Sequence, residues 1–328
     1  MTGRHLVVIG GSAGGINALI DLLAELPPDL PAAVAAVLHR AAEGSGALRA
    51  VMARHSRLPV ASPVDGEELR PGTVYLAPPD RHLLVHDDRL LLTRNAKVNR
   101  ARPAADPLFR SAARWFGPGA TGVVLSGSLD DGASGLASIA AQGGTALVQD
   151  PDEAMFPGMP LAALAAVPAA KALPAVDLAT AVVERVQQPP PAAAAPLDEA
   201  LVAETDLAER DDLTGVDQPG AAVSIACPEC RGAMKRIDLA GAVHFRCHVG
   251  HAYSPYSLLA AQGDTVESAL WSGISVLEEQ AALHATLSER ARKDEHADRH
   301  RAAAVRATSA ANAIRCVIDD GWGASAHG

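Results

Sequence analysis

Ser12 sits between two glycine pairs, in Gly10-Gly11-Ser12-Ala13-Gly14-Gly15. Glycines at a strand-to-helix turn tolerate backbone angles that a side chain forbids, so they can hold a hydroxyl out on a sharp bend. The helix N-terminus beyond favours developing negative charge, and that combination suits a nucleophile for acyl transfer. Glycine-rich turns also cradle phosphate. The dinucleotide spacing G-x-G-x-x-G would need glycine at position 12, however, and no G-x-x-x-x-G-K-[ST] string occurs. A serine nucleophile needs a base and a group to orient it. His39 closes the apolar run Ala33–Leu38, and Ser126-Gly127-Ser128-Leu129-Asp130-Asp131-Gly132 follows Val123–Leu125, offering two aspartates. A second constellation is Cys227-Pro228-Glu229-Cys230 with Cys247-His248-Val249-Gly250-His251. A C-x-x-C knuckle plus C-x-x-x-H supplies the four N/S ligands of a tetrahedral structural zinc: Cys227, Cys230, Cys247 and His251, with His248 as the alternate fourth. A redox C-x-x-C is the other reading, but it lacks the strand–helix context of thioredoxin-like folds.

These residues need a scaffold that gathers strand ends. Leu6–Ile9, Ala33–Leu38, Val123–Leu125 and Ala146–Val148 read as strands buried on both faces of a parallel sheet. Ile16–Leu26, Ala47–Arg54, Pro107–Trp115 and Gly135–Gln142 read as helices between them. The alternation predicts a doubly wound, mostly parallel α/β domain, in which catalytic groups collect at the carboxyl ends of the strands. Turn signals around Val74-Tyr75-Leu76 and Leu90-Leu91-Leu92 make residues 60–94 a hairpin-rich excursion.

The expected domains are a catalytic unit at 1–187, a Pro/Ala-rich and acidic linker at 188–220, a Cys/His zinc-ribbon-like module at 221–260, a long amphipathic helix at 261–308, and an unassigned tail at 309–328. The helix carries a stripe of Val266, Leu270, Ile274, Leu277, Ala281 and Leu287, which suits a partner surface or self-association. Hydrophobic residues make up 48% of 328, ample for a sizeable core, and a net charge of −10 argues against nucleic acid as a partner. No run reaches the ~20 apolar residues that span a bilayer, and the N-terminus lacks the pattern of a secretory signal, so the default location is the cytosol. The four cysteines, Cys316 being the last, all lie in the final third, which fits metal binding better than a disulfide framework.

The run from Val7 to about Pro174 resembles the catalytic domain of the chemotaxis protein-glutamate methylesterases (CheB type). The resemblance lies in Ile9–Gly15, Val37-Leu38-His39, Val64-Asp65-Gly66 through Pro78, Ala105–Phe109, Leu125-Ser126-Gly127 with Asp131-Gly132-Ala133, and Gln149-Asp150 through Gly158-Met159-Pro160. It implies Ser12 as nucleophile, His39 as general base and acid, and Asp131, directly before Gly-Ala, as the orienting carboxylate. The order Ser…His…Asp differs from that of α/β-hydrolases. The implied reaction is two-step hydrolysis of glutamyl γ-methyl esters on receptor helices, without a catalytic cofactor. Backbone N–H groups near Ala13 and Ser128 are the expected oxyanion donors, and the Met159 loop borders the cleft. Two alternatives stay open: deamidation of receptor glutamines or demethylation of another protein, and a scaffold that binds partners through the zinc module and helix. The family's usual Thr-Gly-Met-Gly is Ser126-Gly127-Ser128-Leu129 here, and Ala13 replaces a common threonine. Because the chain opens on the first catalytic strand, a receiver domain, and with it control by phosphorylation in cis, is expected to be missing. Similar ribbon-and-helix tails occur on receiver-less members.

Overall fold

The computed structural model describes residues 4–39, 47–192, 196–210, 216 and 218–320. They form two compact units, one running to Ser257 and one from Leu258. In chain order the first unit contains β1 (His5–Gly11), α1 (Gly15–Glu25), β2 (Ala32–Leu38), α2 (Ala47–His55), β3 (Val60–Ala61), β4 (Val74–Leu76), β5 (His82–His86), β6 (Arg89–Thr93), α3 (Ala105–Phe116), β7 (Ala120–Val124), α4 (Ala133–Ala141) and β8 (Thr145–Gln149). It continues with α5 (Gly158–Ala166), β9 (Lys171–Leu173), α6 (Ala175–Val186), α7 (Glu199–Ala208), β10 (Ala221–Ala226), β11 (Ala233–Leu239), β12 (Ala242–Cys247) and β13 (Ala252–Tyr253). Two long helices follow, α8 (Pro255–Arg290) and α9 (Asp294–Asp319).

Seven strands make one parallel sheet in the order β3-β4-β2-β1-β7-β8-β9. Its central strands read as continuous apolar runs because both faces are covered. Alternation along β1 sends Leu6 and Val8 into one core and Val7 and Ile9 into the other. The first core is closed by Leu108 and Phe109 of α3 with Leu136 and Ile139 of α4. The second is closed by Leu19, Leu22 and Leu23 of α1 with Leu178 and Val182 of α6. Full burial of such side chains contributes roughly 1.5–3 kcal/mol each. This is the doubly wound α/β class that the alternating pattern predicts.

Three segments differ from the sequence reading. Val74-Tyr75-Leu76 is not part of the hairpin excursion. It is β4, wholly buried and paired in parallel with β2, while the hairpin is β5–β6 alone. The stretch read as an acidic linker contains α7, capped by Asp198, whose carboxylate accepts from the Ala200 N–H. Its buried face is half polar, with Glu204 and Thr205 beside Leu201 and Leu207, so no apolar period announces it. The last helical pattern is two helices rather than one, and the second runs past Thr308 through part of the tail left unassigned.

In the second unit α8 and α9 associate as a hairpin. Ser288 donates to the Ala297 carbonyl at 3.1 Å, and Arg315 pairs with Glu278. Of the sequence-derived stripe, Ile274 is buried, while Val266 and Leu287 are exposed. Among the described residues no helix is long and apolar enough to cross a membrane.

Candidate functional site

The parallel sheet brings the ends of β1, β2 and β7 side by side, since β1 lies between the other two. The strand order turns at β1/β7, and the crevice beyond such a switch point is where doubly wound folds bind ligands. Ser12 leaves β1 with its N–H donated to the Ser126 carbonyl at 2.9 Å. His39 leaves β2 with its N–H donated to the Gly11 carbonyl at 3.1 Å. Gly14 turns the chain into α1 at φ 74°, where a side chain would be strained and would meet Ser126 Oγ at 2.6 Å. Gly127 lies against the nucleophile candidate: a methyl group there would collide with Met159 Sδ and reach 2.8 Å from Ser12 Cβ.

The serines of this crevice differ in how occupied they are. Ser126 is buried, and its hydroxyl donates to the Ala13 carbonyl at 2.8 Å while accepting from the Phe156 N–H at 3.0 Å. Ser128 is exposed. Ser12 is half-buried, and its hydroxyl has no hydrogen-bond partner among the described residues. The backbone N–H groups of Ala13 and Ser128 are also undonated among the described residues. Met159 is wholly buried behind Gly127, whose carbonyl accepts the Met159 N–H at 2.8 Å. Leu129, in place of a common glycine, takes a left-handed φ of 62°, a conformation that costs a non-glycine residue roughly 1–2 kcal/mol.

His39 Nε2 lies 2.7 Å from Asp131 Oδ2. Donation along that bond leaves Nδ1 with the free lone pair. Asp131 is 2% exposed and saturated: it also accepts from the Ala105 N–H at 2.5 Å, the Asp106 N–H at 3.2 Å and Asn99 Nδ2 at 2.9 Å. Ala105 and Asp106 are the first turn of α3, so the carboxylate sits on a helix N-terminus. Burial alone would raise its pKa; the His39, Ala105 and Asn99 hydrogen bonds outweigh that and hold it below the ordinary carboxylate value. Its neighbour Asp130 faces elsewhere, accepting from Ser254 Oγ at 2.6 Å, and burial pushes its pKa up to about 7. Of the two aspartates, then, Asp131 is the one on the histidine.

Sequence reasoning overlooked Asn99. Its Oδ1 accepts from the Ser254 N–H at 2.8 Å and Ser257 Oγ at 2.9 Å, and its Nδ2 donates to Asp106 Oδ2 at 3.0 Å as well as to Asp131. An asparagine in a loop carries no signal for such a role, because its partners lie 7, 32, 155 and 158 residues away. Through Ser254, Ser257 and Asn99, the segment after the Cys/His module is tied to Asp131.

That module is an antiparallel sheet, β10-β11-β12-β13. It carries two tight loops, closed by Cys227 N–H donating to the Gly232 carbonyl and Gly250 N–H donating to the Cys247 carbonyl, each at 2.9 Å. The ligand atoms of Cys227, Cys230, Cys247 and His251 all lie within 4.8 Å of one another. Cys230 Sγ–Cys247 Sγ and Cys247 Sγ–His251 Nδ1 are both 3.5 Å, close to the edges of a tetrahedron built on metal–sulfur bonds of about 2.3 Å. The donor set therefore fits a closed metal site. His248 stands outside the group, its ring against Gly232.

Residues 7–182, more than half of the chain, match the CheB methylesterase family. The chain belongs to the CheB methylesterase family. Its match to the crystal structure of the Thermotoga maritima CheB methylesterase catalytic domain has a TM-score of 0.53 at 31% identity, covering 55% of this chain and 98% of that one. A protein-glutamate methylesterase/protein-glutamine glutaminase of Xanthomonas euvesicatoria is 42% identical over 166 residues, covering 49% of this chain and 46% of the relative. One from Moorella thermoacetica is 38% identical over 189 residues, 56% of this chain and 45% of the relative. The chain thus spans about half the length of the curated relatives it matches. The family match ends at residue 182, so the Cys/His module and the helical hairpin lie beyond it.

Proposed function

We propose that this chain is a serine esterase that hydrolyses glutamyl γ-methyl esters on a methylated chemoreceptor-type protein, with Ser12, His39 and Asp131 as its triad. The observation that carries the reading is the hydrogen-bonded His39–Asp131 pair, with Ser12, whose hydroxyl has no partner among the described residues, at the adjoining end of a parallel strand. His39 Nδ1 takes the proton of Ser12 Oγ as that oxygen attacks the ester carbonyl. The tetrahedral oxyanion is met by the undonated N–H groups of Ala13 and Ser128. Collapse expels methanol, protonated by His39, and leaves an acyl-enzyme. Water, deprotonated by His39, then releases the glutamate and restores Ser12. Asp131, held ionised by its four donors, keeps the imidazole oriented and stabilises its charged form.

The same acyl-enzyme forms from a glutamine side chain with ammonia as leaving group, and the relatives' double name supports this second activity. The Cys/His module is proposed to hold a structural zinc on Cys227, Cys230, Cys247 and His251. All four positions are then filled by protein, so the metal takes no part in the chemistry. Exposed Trp271, Val276 and Leu283 on α8 support a protein partner for the helical hairpin. The proposed location is the cytoplasm, where the receptor's methylated helices would be met.

The experiment is methanol release from methyl-esterified receptor membranes by the purified chain. Wild type is expected to release methanol, and Ser12→Ala to lose at least about 10³-fold in rate. Ammonia release from the unmodified glutamine form tests the second activity. Undiminished methanol release by Ser12→Ala contradicts the assignment.

A further inference from the structure

Behind Asp131 lies a row of oxygens from four buried residues, Asp130, Ser254, Ser257 and Asn99. Asp130 Oδ1 is 2.6 Å from Ser254 Oγ, and Ser254 Oγ is 2.9 Å from Ser257 Oγ. Ser257 Oγ is in turn 2.9 Å from Asn99 Oδ1. All three are hydrogen-bond distances for an O–H donor.

Three such contacts need three protons. The two serine hydroxyls bring one each, and the Asn99 carbonyl oxygen brings none. Ser254 Oγ also accepts the Ser257 N–H at 2.9 Å, and the Ser254 carbonyl, 3.2 Å from Ser257 Oγ, is one more acceptor rather than a source. With Asp130 ionised, one pair of oxygens therefore meets with no proton between them, an arrangement that burial makes costly. A proton on Asp130 Oδ1 completes the row. Asp130 then donates to Ser254, Ser254 to Ser257, and Ser257 to Asn99. Asn99 Oδ1 also accepts the Ser254 N–H at 2.8 Å, so both of its lone pairs are filled.

The surroundings favour the same state. Asp106 of α3 and the adjacent Asp131 are the charges that act on Asp130, and both are carboxylates. Arg110 acts on Asp106, and His39 on Asp131. From the side of the Cys/His module Asp130 meets the Ser254 hydroxyl. Burial is the largest influence and takes its pKa up to about 7.

We propose that Asp130 is a positioning residue for the esterase site: as a carboxylic acid it heads a one-way row of hydrogen bonds through Ser254 and Ser257 to Asn99, which holds Asp131 and His39 in place. Loss of that proton turns the Ser254 hydroxyl to Asp130 and the Ser257 hydroxyl to Ser254, leaving Asn99 Oδ1 with the Ser254 N–H alone. Asn99 Nδ2 carries the restraint to Asp131 at 2.9 Å, and Asp131 Oδ2 carries it to His39 Nε2 at 2.7 Å. Ser254 and Ser257 lie outside the residues matched to the family, so this support comes from beyond the matched domain. Only the kinetic consequence rests on the esterase reading.

Carbon-13 NMR of the full chain labelled at its aspartate carboxyls reads the proton, with Asp130→Asn identifying the signal. The Asp130 carboxyl is expected to titrate near pH 7. The His39 ring nitrogens, followed by nitrogen-15, are expected to show a step at the same midpoint besides their own titration. That step should vanish in Asp130→Asn, whose amide N–H donates to Ser254 at every pH. It should vanish in Ser257→Ala too, where Asp130 still titrates but the row is cut, which keeps the test sound if Asp130→Asn fails to fold. Relative to Asp130→Asn, wild-type kcat for methanol release is expected to fall about fivefold from pH 6 to pH 8.5 with KM unchanged, the scale of one neutral hydrogen bond. An Asp130 carboxyl that ionises near the ordinary value of about 4 overturns the proposal. So does a His39 step that persists in either folded variant, or a kcat ratio that stays level. If the NMR steps appear as expected and wild type releases no methanol, the row of hydrogen bonds stands and the esterase reading fails.

Discussion

At the scale of single residues, the site separates groups by how many partners each already has. Ser126 has spent its hydroxyl on the backbone of two neighbouring loops, whereas that of Ser12 has no partner among the described residues. Asp131 accepts four hydrogen bonds, and Asn99 supplies one of them while its carbonyl is held from the other side by Ser254 and Ser257. In the proposed mechanism Asn99 acts through Asp131 as a positioning residue. Asn99→Ala is expected to lower kcat by about 10–100-fold with KM little changed, since misplacing a catalytic group by about 1 Å has costs of that order. Asn99→Asp is expected to lose more, because it sets a third carboxylate against Asp106 and Asp131; steady-state kinetics of the two variants make the comparison. Asp130 gives a pH signature. Its pKa is raised to about 7 by burial, against an ordinary value near 4. Between those values the folded chain holds a proton that the unfolded chain has released, so this group's contribution to stability falls as pH rises from 4 through 7. Asp106, raised to about 6 by burial, acts in the same direction. Urea unfolding at pH 5 and pH 8 is expected to show Asp130→Asn losing less stability than wild type over that interval; an equal loss contradicts the assigned shift.

At the scale of elements, the strands that carry Ser12 and His39 were legible as uninterrupted apolar runs, because a parallel sheet covered on both faces leaves no polar side to disguise them. Val74-Tyr75-Leu76 was misread for a local reason: Pro71-Gly72 before it has the chemistry of a hairpin turn, and only the partner strand β2, some forty residues earlier, makes it central. α7 was hidden because its buried face includes Glu204, whose partners His244 and Arg246 come about forty residues later. α9 was hidden because the residues it buries are alanines, Ala297, Ala307 and Ala311, in a chain rich in alanine throughout. The Cys/His ligands were legible from spacing, and the knuckle loops bring all four within reach of one ion. Elemental analysis is expected to find about one zinc per chain. Replacing Cys227 and Cys230 by serine should remove it and lower esterase kcat, since the Ser254–Asn99 link follows directly on the loop that carries His251. A wild type that folds fully without metal contradicts the zinc.

At the scale of the whole molecule, one doubly wound unit gathers Ser12, His39 and Asp131 at a sheet switch point, and the Cys/His sheet packs against the same unit. Ala252 N–H donates to the Lys97 carbonyl at 3.2 Å, and Asn99 N–H to the Ala252 carbonyl at 2.8 Å. Buried Glu204 of α7 holds His244 and Arg246 of β12, so a segment read as linker is a third body in that packing. Ser12, His39 and Asp131 were legible as candidates at separate strand ends, but what binds Asp131 in place was not, because Asn99, Ser254 and Ser257 meet only in the folded chain. The proposed chemistry requires Ser12 Oγ to be the attacking atom. Incubation with a fluorophosphonate ester, followed by peptide mapping in a mass spectrometer, reads that directly. One adduct per chain on the peptide containing Ser12 is predicted, slowed at least about 10²-fold in His39→Ala. An adduct on Ser126 or Ser128, or labelling of Ser12 at the same rate without His39, would contradict it.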